Sequence, residues 1–121
     1  MIDFANSTIV KLKPSQPGED VMSMLVEDEQ VFRSFQGSRD SVHFTSKRIL
    51  CKNVQGITGK KTDYSSLPYS KVQAWSVETA GTFDRDCELE VWFSGLGKVR
   101  LEFKGQVDIR HIGHLVGHHV L

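Results

Sequence analysis

The feature that most constrains this fold is a pair of alternating segments at residues 87–94 and 98–104. Apolar and polar side chains alternate in both, which is the period of a β-strand with one buried and one solvated face. A Gly-Leu-Gly sequence between them predicts a hairpin turn. Antiparallel pairing then places the outward Glu88 and Glu90 close to the cations of the second strand. These residues predict an antiparallel sheet with one buried face.

Similar strand patterns, separated by turn residues at short intervals, begin near residue 30, as in an all-β sandwich or barrel. The predicted strands are residues 31–35, 40–45, 48–54, 62–67, 72–78, 87–94 and 98–104. In the second strand, alternation places Ser41, His43 and Thr45 on a solvated face. In the strand at 72–78 the apolar character changes face, so either both faces are covered or a β-bulge lies near Gln73 and Ala74.

The two ends of the chain differ from this strand pattern. Pro14 and Pro17 interrupt regular structure, so residues 1–26 are predicted to form an arm with a short helix at 19–26. Asp108 is a suitable N-cap for an amphipathic helix near the C-terminus. Its apolar stripe consists of Ile109, Ile112, Val116 and Val120. We therefore expect an arm, residues 1–26, and a barrel domain, residues 27–121, whose open end the C-terminal helix covers.

The alternation also predicts which side chains form the core. The expected core residues are Val42, Phe44, Leu89, Val91, Phe93, Val99, Leu101 and Phe103, capped by Ile109, Ile112 and Val116. Cys51 and Cys87 lie inside predicted strands and are too few for a disulfide framework or a zinc site, so both are expected to pack as small apolar residues.

Composition limits the class of partner. The chain has 15 Lys and Arg residues against 15 Asp and Glu residues, so no net charge attracts it to nucleic acid or to an anionic membrane. No apolar run approaches the roughly 18 residues of a membrane span, and Asp3 stands where a signal peptide carries positive charge. These features predict a cytoplasmic protein without an integral membrane span.

Four stretches of this sequence resemble one family. They are DSVHFTSKRIL, QGITGKK, YSSLPYSKVQAWSVETAG and FDRDCELEVWFSG. The sequence resembles the bacterial pleckstrin-homology (PH-like) domain family, formerly a domain of unknown function, over residues 28–121. The resemblance implies a mainly β fold: a seven-stranded barrel of two near-orthogonal antiparallel sheets, capped by a C-terminal α-helix. It also implies ring-forming homo-oligomers in which neighbouring barrels pack side by side, five to a ring.

Candidate chemical sites are few. His111, His114 and His118 share one face of the C-terminal helix, and we interpret them as a solvated face and not as metal ligands. Gly113 and Gly117 have the spacing of a close-packing motif, but outside a membrane we expect them only to lower helix stability. No nucleophile, base or cofactor motif is present in the sequence, which predicts a protein that is not an enzyme and has no cofactor.

Two functions from different classes remain open. Trp75, Val77 and Trp92 are large apolar residues left outside the predicted core, which favours an assembly module that forms a cyclic homo-oligomer or binds an unidentified protein partner. The alternative is a lipid- or anion-binding module that uses the hairpin at Gly59, Lys60 and Lys61.

Overall fold

Strands make up most of the structure, a computed structural model that describes residues 1–58 and 61–121. Within those residues there are eight strands, two α-helices and one 3-10 turn. In chain order they are β1 (Ile9–Ser15), α1 (Glu19–Ser23), β2 (Val31–Gln36), β3 (Asp40–Thr45), β4 (Arg48–Gln55), β5 (Lys61–Pro68), the 3-10 turn (Tyr69–Lys71), β6 (Val72–Glu78), β7 (Cys87–Phe93), β8 (Gly97–Phe103) and α2 (Ile109–Val120).

The strands form one continuous sheet in the order β5-β4-β3-β2-β1-β8-β7-β6. Antiparallel pairing joins all neighbours except β1 and β8, which run parallel. The predicted mainly β fold with a C-terminal helix is confirmed. Two details are corrected: the described residues contain eight strands instead of seven, and one pairing is parallel.

The additional strand, β1, lies in the stretch that the sequence predicted as an arm. It pairs with β2 on one side and with β8 on the other, so it joins the two parts of the sheet. Ile9 and Leu12 are both buried although they are three residues apart. Lys11 between them has a φ of 58°, and the register with β8 shifts there. This bulge breaks the two-residue period by which a strand is predicted.

The core fills the inside of the curved sheet, and α2 lies across it. Every predicted core residue is buried, and both cysteines are free and buried, as expected. Burial raises the pKa of the Cys51 thiol, and to a smaller degree that of Cys87. Asp108 caps α2, because its Oδ1 accepts a hydrogen bond of 3.2 Å from the His111 amide. The predicted bulge in β6 is also confirmed, between Val72 and Ala74. No helix in the described part of the chain is long and apolar enough to cross a membrane.

Residues 16–30 form an N-terminal strap that crosses the outer face of β3, β4 and β5. Helix α1 begins where the sequence predicted it and ends at Ser23 instead of residue 26; it belongs to this strap and buries Val21. The strap is fastened by Asp20, which lies 2.8 Å from Lys52 Nζ and accepts a 2.6 Å hydrogen bond from the Tyr64 hydroxyl. The prediction that Ser41, His43 and Thr45 face solvent is therefore wrong, because all three are buried.

Candidate functional site

The outer face of β6, β7 and β8 carries a half-exposed tryptophan. Trp92 on β7 is 49% exposed and lies between Ala74 on β6 and Lys98 on β8 in the strand register. Two open grooves border it. One, of about 170 Å³, runs along β6 and includes Ser76. The other, of about 570 Å³, lies between residues 4–8 and the β7–β8 hairpin. We call this surface the Trp92 face.

A ladder of opposite charges surrounds Trp92 on the same face. Arg100 Nε donates a 2.8 Å hydrogen bond to Glu88 and lies 3.3 Å from Glu90, while Lys98 Nζ lies 3.8 Å from Glu90. The hydrogen bond to Glu88 raises the pKa of Arg100. The predicted cross-strand match of Glu88 and Glu90 with cations of β8 is confirmed. Because the charges pair within the chain, Trp92 is the apolar centre of a nearly neutral surface.

The other two candidate interface residues have different surroundings. Trp75 and Val77 are partly buried and pack against the core, opposite Val91 and Leu89 in the register. They also contact α2: a Cβ atom on Gly117 would lie 3.2 Å from Trp75 Cζ2. The structure therefore places Trp75 and Val77 on the inner side of β6 and Trp92 on the outer side of β7.

The candidate anion-binding residues are mostly beyond what the structure describes. Gly59 and Lys60 lie outside the described residues. Lys61 begins β5, is exposed and pairs with Gln55. The histidine face on α2 is exposed at His111, His114 and His118, and the described residues contain no group of three or more side chains placed to hold a metal ion.

Beneath the strap lies a polar cluster that the sequence did not predict. His43 Nδ1 lies 2.7 Å from the Ser34 hydroxyl, and His43 Nε2 lies 2.8 Å from the Ser41 hydroxyl. A neutral imidazole donates at one nitrogen and accepts at the other, so both hydroxyl contacts are satisfied. Burial lowers the pKa of His43 to about 4. All three side chains are buried, and Ser34 also lines a groove beside β2, so the cluster lies between the strap and the core.

A buried ion pair fastens the end of the strap. Arg48 donates to both Glu29 oxygens at 2.9 Å and to the Met24 carbonyl at 2.8 Å. The Glu29 carboxylate is fully buried and also accepts hydrogen bonds from the Thr45 hydroxyl and the Val26 amide. Burial alone would raise the pKa of Glu29, but these hydrogen bonds outweigh it and lower that pKa. Each charge in the pair is thus hydrogen-bonded, which is the condition under which a buried pair is tolerated.

The strap also borders a groove that Met22 lines, although the sequence favours Met22 as a core residue over the alternative of a groove-lining one. This strap groove, of about 490 Å³, lies between the strap and β2. Its lining residues are Pro14, Ser15, Gln16, Pro17, Met22, Val31, Phe32, Arg33, Ser34 and Phe35. Met22 and Phe32 are 48% and 44% exposed, so apolar surface is open to solvent there. Both appeared in the sequence as members of short amphipathic elements, and only the path of the strap brings them together.

A second missed residue is Phe83, in the loop between β6 and β7. It is 100% exposed. The sequence signal was available, because a phenylalanine between a glycine turn and two aspartates has no place in a core pattern. Nearby, Asp84 Oδ1 accepts a 2.9 Å hydrogen bond from the Asp86 amide. The loop therefore presents an aromatic ring beside carboxylates.

Comparisons with known proteins agree on one family. The family profile described as Bacterial PH domain matches residues 3–120, which includes β1 and the strap. The uncharacterized protein YjqA of Bacillus subtilis (strain 168) is 45% identical over 96 residues, which cover 78% of this chain and 77% of YjqA.

Two crystal structures show the same fold. One is a DUF1696 family protein with a pleckstrin-homology domain from Shewanella loihica PV-4, with 32% identity and a TM-score of 0.80 over 92% of this chain and 98% of that one. The other is a pleckstrin homology domain from Shewanella amazonensis SB2B, with 37% identity and a TM-score of 0.65 over 84% of this chain and 83% of that one.

Proposed function

Because the chain belongs to the bacterial PH domain family, we propose that it is a non-catalytic protein-interaction module that assembles with copies of itself into a ring. The observation that carries the proposal is Trp92, a half-exposed tryptophan at the centre of a paired, nearly neutral sheet face. Large aromatic residues are enriched in protein interfaces, and neutral surroundings reduce the cost of desolvation.

The position of β6 supports the same proposal. β6 is at one end of the strand order, so one of its backbone edges has no strand partner among residues 1–58 and 61–121. An unpaired edge beside an exposed aromatic residue is suited to contact with a second chain. A ring of five subunits is the size that the family resemblance implies. In such a ring each contact joins two different faces and should bury on the order of 800 Å² per partner.

Light scattering after size exclusion at micromolar concentration tests the proposal. We expect a single species with the mass of about five chains. Trp92→Glu should shift it toward one chain, because a carboxylate would be buried without a partner in the contact. Ile57→Glu is the matched control, because Ile57 is fully exposed and lies in the β4–β5 hairpin, far from Trp92 in the sequence. The control variant should keep the ring.

A wild-type mass of one chain at all concentrations would overturn the proposal. Trp75 is not used in this test, since its packing on α2 means that a charge there would unfold the barrel. Binding to anionic vesicles at low salt, lost in a Lys60→Glu, Lys61→Glu double variant, would instead support the lipid- or anion-binding alternative.

A further inference from the structure

We propose that Phe83 of one copy inserts into the strap groove of the next copy, which makes the β6–β7 loop and the strap the two halves of the ring contact. This inference rests on the proposed self-assembly and names the two surfaces that meet. It starts from the exposure of Phe83, whose whole side chain is in solvent. A fully exposed phenylalanine gains free energy wherever its ring is removed from water.

Charge as well as shape favours the β6–β7 loop as the segment that binds in the groove. The β6–β7 loop and the end of β6 carry Glu78, Asp84 and Asp86 against the single cation Arg85, while Glu88 at the start of β7 is paired with Arg100. Arg33 is the one charged side chain among the residues that line the strap groove, and it is exposed. An acidic loop with an aromatic tip therefore meets a groove of mixed polarity whose one charged lining side chain is a cation. Complementary charges of this kind orient two surfaces as they approach.

The groove offers the right chemical walls for a phenyl ring. Pro14 at the end of β1 and Pro17 of the strap line it on one side, and Phe32 lines it on the β2 side. Its volume of about 490 Å³ exceeds that of one aromatic side chain, so the ring enters together with part of its loop. Grooves lined by aromatic side chains are known to receive an extended segment of another chain.

The placement of the two halves accounts for a closed assembly. Phe83 lies in the loop after β6, and the groove lies beside β2, which the strand order puts in the opposite part of the sheet. A contact between two different patches is heterologous, so it repeats from copy to copy and ends only when a ring closes. Phe83 lies at the loop end of the β6–β7 hairpin and Trp92 near its other end, opposite Ala74, so variants of the two residues test different parts of the hairpin.

Two variants, each with one half of the contact removed, test the proposal. Phe83→Asp removes the aromatic tip and leaves the groove intact, while Met22→Glu blocks the groove and leaves the tip intact. Both positions are exposed, so both variants should fold, and thermal melting checks this. We expect each variant alone to have the mass of one chain by light scattering. An equimolar mixture should have the mass of two chains, because one intact tip meets one intact groove.

The outcomes separate this inference from the proposed function. A wild-type protein that is always monomeric would overturn both. If the ring dissociates with Trp92→Glu but survives both Phe83→Asp and Met22→Glu, the proposed self-assembly stands and the docking of Phe83 is overturned. A mixture of the two folded variants that keeps the mass of one chain would also overturn it.

A second pair of variants tests the charges: Arg33→Glu should dissociate the ring, and Arg33→Glu combined with Asp84→Arg should restore it at least in part.

Discussion

His43 is a polar side chain held in a buried position by two hydroxyl groups. It is surrounded by Ser34 on β2 and Ser41 on its own strand, and the charges of Asp20 on the strap and Lys52 on β4 act on it in opposite directions. Both nitrogens already have partners, so the neutral ring is satisfied without solvent. An added proton would place a charge in this buried site, where Asp20 is already paired with Lys52. The strap therefore stays closed over a neutral histidine.

This arrangement predicts a stability that depends on pH. The pKa of His43 is lowered in the folded chain to about 4, so the unfolded chain binds a proton first as pH falls below about 6.5. Its contribution is fully present above pH 6.5 and is lost as pH falls toward 4, by up to about 3 kcal/mol in the free energy of unfolding. Urea denaturation at pH 7, 5.5 and 4.5 measures this loss.

The control for that experiment is His43→Gln, which keeps a donor and an acceptor but does not titrate in this range. We expect the variant to be less stable at pH 7 and to lose much less stability between pH 7 and 4.5. Asp20 and Glu29 have lowered pKa values, so their contribution is present above the unfolded carboxyl pKa and is lost progressively from about pH 5 downward, equally in wild type and in the variant. Identical pH slopes for wild type and His43→Gln would contradict the assignment.

What the sequence could predict at this scale was which residues share a face of a strand. Alternation identified the inward residues of β7 and β8 correctly, and it also separated His43 from Val42 and Phe44. It could not identify what covers the second face. That depends on the strap, whose attachment uses partners up to 44 residues apart in sequence, such as Asp20 and Tyr64. For the same reason the sequence could offer Met22 as a groove-lining residue only as an alternative and could not identify its partners on β2.

At the scale of secondary-structure elements, the contact between α2 and β6 explains two glycines inside a helix. A Cβ atom on Gly113 would lie 2.8 Å from Val77 Cγ1, closer than real Cβ atoms come to a neighbour. The expectation that these glycines only weaken the helix is therefore corrected, because they let the helix backbone approach the strand. The spacing of Gly113 and Gly117 was visible in the sequence, but its partners Val77 and Trp75 were not.

Gly113→Ala tests this contact, since two effects oppose each other. Helix propensity favours alanine by about 1 kcal/mol. Overpacking against Val77, a short branched side chain that cannot move aside, costs about 1–3 kcal/mol. We expect a net loss of stability, on the order of 1 kcal/mol, in chemical denaturation. Gly113→Ala in a Val77→Ala background should instead be stabilising, because the propensity gain remains and the clash is gone. A higher melting temperature for Gly113→Ala alone would show that the helix has room to adjust.

At the scale of the whole molecule, β1 determines whether the sheet is one unit. The strands β2–β5 and β6–β8 form two antiparallel groups, and β1 lies between them in the strand order. Its residues pair with both groups: Lys13 is opposite Gln36 of β2, and Leu12 is opposite Phe103 of β8. The antiparallel groups follow directly from local alternation and turns, which is why they were predicted. The connection was not, because a bulge and Pro14 conceal the strand period and its partner β8 is about 90 residues away.

Leu12→Ala tests whether β1 joins the two groups into one cooperative unit. Leu12 is fully buried, so its truncation should cost about 2–5 kcal/mol in the free energy of unfolding, as for any core leucine. Val10→Ala is the matched control: Val10 is exposed on the same strand, and its truncation should cost well under 1 kcal/mol.

Both tryptophans lie in the β6–β8 group, so their fluorescence reports that group, whereas far-ultraviolet circular dichroism reports the entire sheet. The two signals should show a single shared transition in wild type and in Leu12→Ala. If Leu12→Ala had the stability of Val10→Ala, or if fluorescence and dichroism changed at different denaturant concentrations, β1 would be a dispensable arm.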